Sequence, residues 1–347
     1  MLSPKEFFQR VYERYLAASE SSGGPHMLTF EVGGKVICLH FASHALIPLI
    51  APAFGHLNLP NHPSNADLDV YLWDSKSTGI PMVQRPWNYD AFSHKGMIKG
   101  FDSEFVKTTY QTDRDILSVL NLKNNKAIYW VSDTQVVPYF ETGAPLLGIL
   151  PQWFLEEGEL FVHGGAIGME DKGVLLVGPG GSGKSTTALR CLNNLSLYYL
   201  ADDYCLIDCN DPVYIHSVYC SGKLDPVQAD SFSFLRPALH NPSNLDKEKA
   251  LFFLYPVFAH RLLKAVPLKA IFIPQITGKG RTFLSSASPI DVFKALAPST
   301  VLQLPGFGHK ASKMIAKLVR KVPAYHINLG DDPEIVPEVI HEYMIRL

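Results

Sequence analysis

The stretch Gly173-Val-Leu-Leu-Val-Gly178-Pro-Gly-Gly-Ser-Gly-Lys184-Ser185 decides how this chain is read. Residues 178–185 fit the pattern G-x-x-x-x-G-K-[ST], with an apolar strand-like run before them and a helix-forming run from Thr186 after them. The pattern has a chemical reason. Glycines at 178, 180, 181 and 183 let successive backbone N–H groups turn inward on phosphate oxygens, and the start of the following helix adds its positive end. Lys184 reaches toward the β- and γ-phosphates, and the Ser185 hydroxyl ligates Mg²⁺. Gly178, Gly180, Gly181, Ser182, Gly183, Lys184, Ser185 and Thr186 therefore form the candidate binding set for ATP. The bare pattern arises by chance in roughly one in a hundred chains of this length, and correct strand and helix flanks make a chance match rarer. The competing reading is a glycine-rich turn that merely joins strand to helix.

Just downstream, residues 196–201 read as a strand that ends in Asp202-Asp203. A strand following the helix would lie close to the one before the loop, with its carboxyl end toward the γ-phosphate and metal. Two adjacent aspartates there suggest two tasks, one holding Mg²⁺ and one accepting a proton from an attacking hydroxyl. A solvated turn or a helix cap would use aspartate as well. Upstream, His163 closes another short strand before Gly164-Gly165; alone, it reads as a core histidine.

These segments resemble a family. His163-Gly-Gly-Ala, residues 178–186 and Leu200-Ala-Asp-Asp-Tyr204, in that order and spacing, look like the catalytic core of HPr kinase/phosphorylase. The likeness is closer to the HPr-serine-kinase-like proteins found beside lasso-peptide and other peptide-modification genes. Val218-Tyr-Cys-Ser-Gly-Lys-Leu-Asp225, Pro267-Leu-Lys-Ala-Ile-Phe-Ile-Pro274 and Val322-Pro-Ala-Tyr-His-Ile-Asn-Leu-Gly330 belong to it too. The resemblance covers residues 125–347 and implies a Mg-ATP-dependent kinase acting on a serine-type hydroxyl. It implies Asp202 as general base, Asp203 as metal ligand with Ser185, His163 beside the phosphates, and Lys223 as a phosphate or substrate contact. No segment matches the one that supports phosphorolysis in the bifunctional enzyme, and the bacterial phosphocarrier is not implied as substrate.

The rest of the chain sets the frame. With 347 residues, 47% of them hydrophobic and 18% charged, the chain exceeds one ordinary core, and two units are expected. The expected fold is α/β: a β-rich α+β domain over residues 1–142, then a P-loop kinase domain of the HPr kinase type over 143–347. Thirty-one basic and thirty-three acidic residues give a net charge of -2, so no global field draws the protein to nucleic acid or anionic lipid. Five cysteines in apolar context (Cys38, Cys191, Cys205, Cys209, Cys220) suit a reducing compartment. The first residues do not read as a signal peptide, and the apolar runs at 45–54 and 251–258 are shorter than the ~20 residues a membrane helix needs. A cytoplasmic location without membrane or nucleic-acid partners is expected, and homo-oligomerisation is left open.

Along the chain, residues 4–18 read as an amphipathic helix, 28–32 and 35–40 as a hairpin turned at Gly33-Gly34, and 67–73 and 127–132 as strands. Residues 60–65 read as a surface loop. Beyond 143 the pattern alternates: a helix at 151–157, strands at 160–163, 173–177 and 268–274, and helices at 186–195, 290–297, 310–321 and 333–346. Cys205 and Cys209 lack a second pair at zinc spacing and read as core. The aromatics of 251–258 also read as core, with an exposed part able to receive a peptide. Arg236, His260 and Arg261 fall where a substrate loop could lie, and an arginine there could stabilise charge on a transferring phosphoryl group. The leading expectation is transfer of phosphate from ATP to a serine in a peptide or to a small hydroxylated metabolite. The alternatives are a nucleotide-sensing regulatory protein and an ATPase without an acceptor.

Overall fold

The computed structural model describes every residue except Met1, His62, Ser64 and Phe307, with Tyr89 and His94 described by their backbone alone. Two residues of the loop read at 60–65, His62 and Ser64, thus lie outside the described residues; Pro60, Asn61, Pro63 and Asn65 are exposed. Contacts divide the chain into two units, Met1–Glu156 with Leu304–Gly306, and Glu157–Gln303 with Phe307–Leu347. This division falls later than the boundary read at 142/143. The reason lies in α5 (Leu150–Glu157), where the Trp153 indole N–H donates to Asn125 Oδ1, 3.3 Å away, in the first unit.

The first unit begins with α1 (Pro4–Ser21), started by a capping box between Ser3 and Glu6 with Pro4 in the first turn. Glycines 23 and 24, at φ 88° and 104°, end it. Its strands are β1 (His26–Val32), β2 (Lys35–Phe41), β3 (Leu68–Asp74), β4 (Val106–Gln111), β5 (Ile116–Asn121) and β6 (Lys126–Val131), in the spatial order β1-β2-β3-β6-β5-β4. Gly33 and Gly34, at φ 61° and 73°, close the β1–β2 hairpin as its twist requires. The short helices α2 (Ile47–Ile50) and α3 (Ser75–Thr78) lie between these strands, and α4 (Tyr139–Gly143) follows β6. The apolar stripe of α1, with Phe7, Phe8, Val11 and Tyr15, packs on Tyr71, Trp73, Leu117, Val119 and Ile128. Burial of such side chains contributes about 1.5–3 kcal/mol each, which makes α1 part of this core.

The second unit holds β7 (Leu160–His163), β8 (Gly165–Met169), β9 (Lys172–Leu176), α6 (Lys184–Arg190), β10 (Tyr198–Ala201), β11 (Tyr204–Asp208), β12 (Tyr214–Ser217), β13 (Ser221–Leu224), α7 (Pro226–Ala229), β14 (Ala250–Phe253), β15 (Ala265–Ile276), β16 (Phe283–Ser286), α8 (Pro289–Val301), α9 (His309–Lys321), β17 (Ala324–Leu329) and α10 (Val336–Ile345). Its large sheet runs β10-β8-β9-β15-β12-β11-β7, with β17 beside β15 and β16 beside β17. β15 is parallel to β9 and β17, whereas β8 is antiparallel to both β9 and β10. The architecture is mixed α/β with several sheets.

The strand after α6 lies close to the strand before the loop, one strand removed, because β8 is inserted between them. Both strands still end at the same edge. Ala201 of β10 is level with Ala166 of β8, which is level with Leu175 of β9, so the residues following β9 and β10 emerge side by side.

Candidate active site

Everything in the candidate site belongs to the second unit. The loop from Gly178 to Gly183 leaves β9 and enters α6 at Lys184. Gly181 and Gly183 take φ 78° and 99°, a region that side-chain-bearing residues avoid. Lys184 is buried at 7% exposure and donates to the carbonyl oxygens of Gly178 at 2.8 Å and Pro179 at 3.0 Å. Burial pulls its ammonium below the ordinary lysine range, against the pull of Asp202 and Asp203 in the other direction.

The aspartates sit where the chain turns from β10 into β11. Asp203 takes φ 64°, a left-handed conformation that aspartate tolerates better than most residues. Its carbonyl oxygen accepts from Gly164 N–H at 2.9 Å, which ties this turn to the β7–β8 corner. Gly164 has to be glycine, since a Cβ there would stand 2.6 Å from the Leu176 carbonyl oxygen. That close approach brings His163 to the aspartates. His163 Nε2 lies 3.9 Å from Asp203 Oδ1, and Lys223 Nζ of β13 lies 2.5 Å from Asp203 Oδ2.

Asp202 is held differently. It is 2% exposed, and its Oδ2 accepts from the Lys223 backbone N–H at 3.0 Å. Its Oδ1 is buried without a hydrogen-bond partner among the described residues, as is the Ser182 hydroxyl. The two carboxyls are driven apart. Burial and then the neighbouring Asp203 charge push Asp202 up to about 6, against the Ser185 hydroxyl and the Lys223 N–H. Burial would raise Asp203 too, but Lys223 and then His163 overrule it and hold that carboxyl well below the usual carboxylate range. One strand end thus carries a carboxylate fixed as an anion and a carboxyl that ionises near neutrality.

A cavity of about 250 Å³ lies beside this arrangement and shares Lys184, Ser185 and Lys223 with it, although neither aspartate nor His163 lines it. Gly181, Gly183, Lys184, Ser185 and Thr186 form one wall, Lys223, Asp225, Gln228 and Lys249 another, and Ile276, Leu329 and Val336 an apolar third. The residues present fit a metal-bound triphosphate: Gly181, Gly183, Lys184 and Ser185 line the cavity, and the buried Ser182 hydroxyl of the same loop lacks a partner among the described residues.

The structure therefore brings Asp202, Asp203, His163, Lys223, Lys184 and Ser185 together. Arg236, His260 and Arg261 do not line the cavity. Arg261 is buried and donates to the carbonyl oxygens of Asn194 and Leu197, so it pins the connection between α6 and β10 and is not available to a phosphoryl group. Arg236 and His260 are exposed. Cys205 and Cys209 are buried and free, as expected of core residues. Sequence reasoning missed Arg190, which lines the cavity and pairs with Glu334, and the Lys249–Asp225 pair at 3.2 Å. No motif marks them, because their partners come from distant segments.

No family model matches the chain, and no curated protein matches it. Among solved structures, the Hpr(Ser) kinase/phosphatase from Coxiella burnetii is similar over 54% of this chain and 97% of its own, at 8% identity and a TM-score of 0.31. A likeness that loose carries no weight for the chemistry, which rests on the residues.

Proposed function

We propose that this chain is a Mg-ATP-dependent phosphotransferase of the HPr-kinase-like type that phosphorylates a serine-type hydroxyl of a peptide or a small molecule. The observation that carries the reading is the placement of Asp202 and Asp203, which follow β10 at the sheet edge where the glycine loop leaves β9. In this reading backbone N–H groups of the loop and Lys184 hold the triphosphate, and Ser185 and Asp203 hold the metal. Bound Mg²⁺ would supply neutralisation of charge on the transferring phosphoryl group.

The chain's own groups do the remainder. Asp202, poised near neutrality, accepts the proton of the acceptor hydroxyl. Lys223 fixes Asp202 through its backbone and Asp203 through its ammonium, so both carboxyls keep their places when the acceptor arrives. His163 adds a polar group beside Asp203. The buried cysteines, which form no disulfide among the described residues, support a reducing compartment, and among those residues no helix is long and apolar enough to cross a membrane.

Incubation with γ-labelled ATP and serine-containing acceptors tests the reading. Label on an acceptor supports it; free phosphate alone would make the chain an ATPase, and neither product a nucleotide sensor. A pH series adds a second check. Because the base must be ionised, kcat/KM should climb about tenfold per pH unit below the Asp202 value of about 6 and level off above it. A profile flat between about pH 5 and 8 would remove Asp202 from the base role.

A further inference from the structure

Within the first unit, β2 and β3 bring together three ligand-type side chains that the proposed chemistry does not use. Cys38 and His40 stand two residues apart on β2, so their side chains share a sheet face, while Ile37, Leu39 and Phe41 point to the other. Asp69 on β3 is the register partner of Cys38 in the parallel pair. Ligand atoms of Cys38, His40 and Asp69 all lie within 4.8 Å of one another. His40 Nε2 is 2.7 Å from Asp69 Oδ1, and the His40 ring stacks on Tyr71 at 4.8 Å, which fixes its plane. Thr29, across from Cys38 on β1, places its hydroxyl 3.7 Å from Cys38 Sγ. Cys38 is buried, whereas the His40 and Asp69 side chains are 16% and 31% exposed, so the trio is reachable from its Asp69 side.

We propose that Cys38, His40 and Asp69 form a zinc-type transition-metal site. Thiolate, imidazole and carboxylate are the donors that Zn²⁺ takes at about 2.0–2.3 Å, and three protein donors leave a fourth position for water or an exchangeable ligand. Ligand atoms around a tetrahedral ion with such bonds stand about 3.3–3.8 Å apart, so the trio closes on an ion by small side-chain rotations with the strands in place. Magnesium and calcium, which take oxygen donors, are disfavoured by the thiol. Binding must displace protons from the thiol and the His–Asp pair, so affinity rises with pH.

Cobalt is the probe. The full chain, reduced and stripped of metal, is titrated with Co²⁺ while the near-ultraviolet absorption is followed. A thiolate-to-cobalt charge-transfer band that saturates at one ion per chain, is displaced by Zn²⁺ and vanishes in Cys38→Ser supports the site. Asp69→Asn, which keeps a hydrogen-bond acceptor for His40, should weaken Co²⁺ about 10–100-fold. Absence of the band in the native chain, or its persistence in Cys38→Ser, overturns the proposal and leaves an ordinary His–Asp pair beside a core cysteine. The carboxylates of the second unit offer oxygen alone and give no such band, so this result stands apart from the fate of the kinase reading.

Discussion

Asp202→Asn should lower phosphate transfer about 10²–10⁴-fold while leaving MgATP affinity within a few-fold of native. The amide still offers an oxygen to the Lys223 N–H, so the local geometry survives. What disappears is the basic oxygen. The stability of the variant separates this account from a structural one. Asp202 is raised above its ordinary range, so the folded state favours its protonated form, and ionisation of this buried group near pH 7 counts against the fold. Removing the charge should leave the urea midpoint at pH 7 unchanged or higher. A variant that transfers phosphate at the native rate would sink the base assignment, and one that merely unfolds would show the carboxylate to be structural.

Asp203→Asn should behave in the opposite way. Lys223 and Asp203, whose side chains are 10% and 23% exposed, form a part-buried pair, and losing its charge-assisted bond costs about 1.5–3 kcal/mol. Backbone strain is not the cause, because asparagine accepts φ near 64° as readily as aspartate. The pH dependence has a definite sign. A carboxyl held below its ordinary value contributes stability that is present above about pH 4 and is lost as the pH falls toward the folded-state value. The deficit of the variant, measured by urea unfolding, should therefore be full at pH 7 and shrink in acid. A deficit below about 1 kcal/mol at pH 7 would mean that the ion pair is no more than a surface contact.

Much of this site was legible because its chemistry is local in sequence. The glycine loop, Asp202-Asp203, His163-Gly164 and Lys223 lie on short runs whose spacing already carries a reason. The sheet order was harder. β8 reads Gly-Ala-Ile-Gly-Met, with two glycines and little β-branching, so its propensity for a strand is weak; it is made one by β9 and β10 on either side. β12 and β17 were missed for other reasons: β12 alternates but is only four residues long, and β17 buries a single residue, Ile327, in six. The helix at 150–157 was visible, but which core would receive Trp153 was not, since Asn125 lies 28 residues back, before β6 and α4. The Cys38–His40–Asp69 trio shows the same limit. The spacing of Cys38 and His40 is plain on β2, whereas Asp69 joins them only through strand register.

The central claim is that main-chain amides and Lys184 hold a triphosphate next to the Asp202–Asp203 turn. Calorimetric titration of the native chain and Lys184→Gln with ATP, with and without Mg²⁺, tests it most directly. The account predicts Mg²⁺-dependent binding to the native chain that weakens about 10–100-fold in the variant, since a charge-assisted contact to phosphate worth about 1.5–3 kcal/mol is lost. Equal affinity of the two proteins for MgATP, or no binding by either, would contradict it.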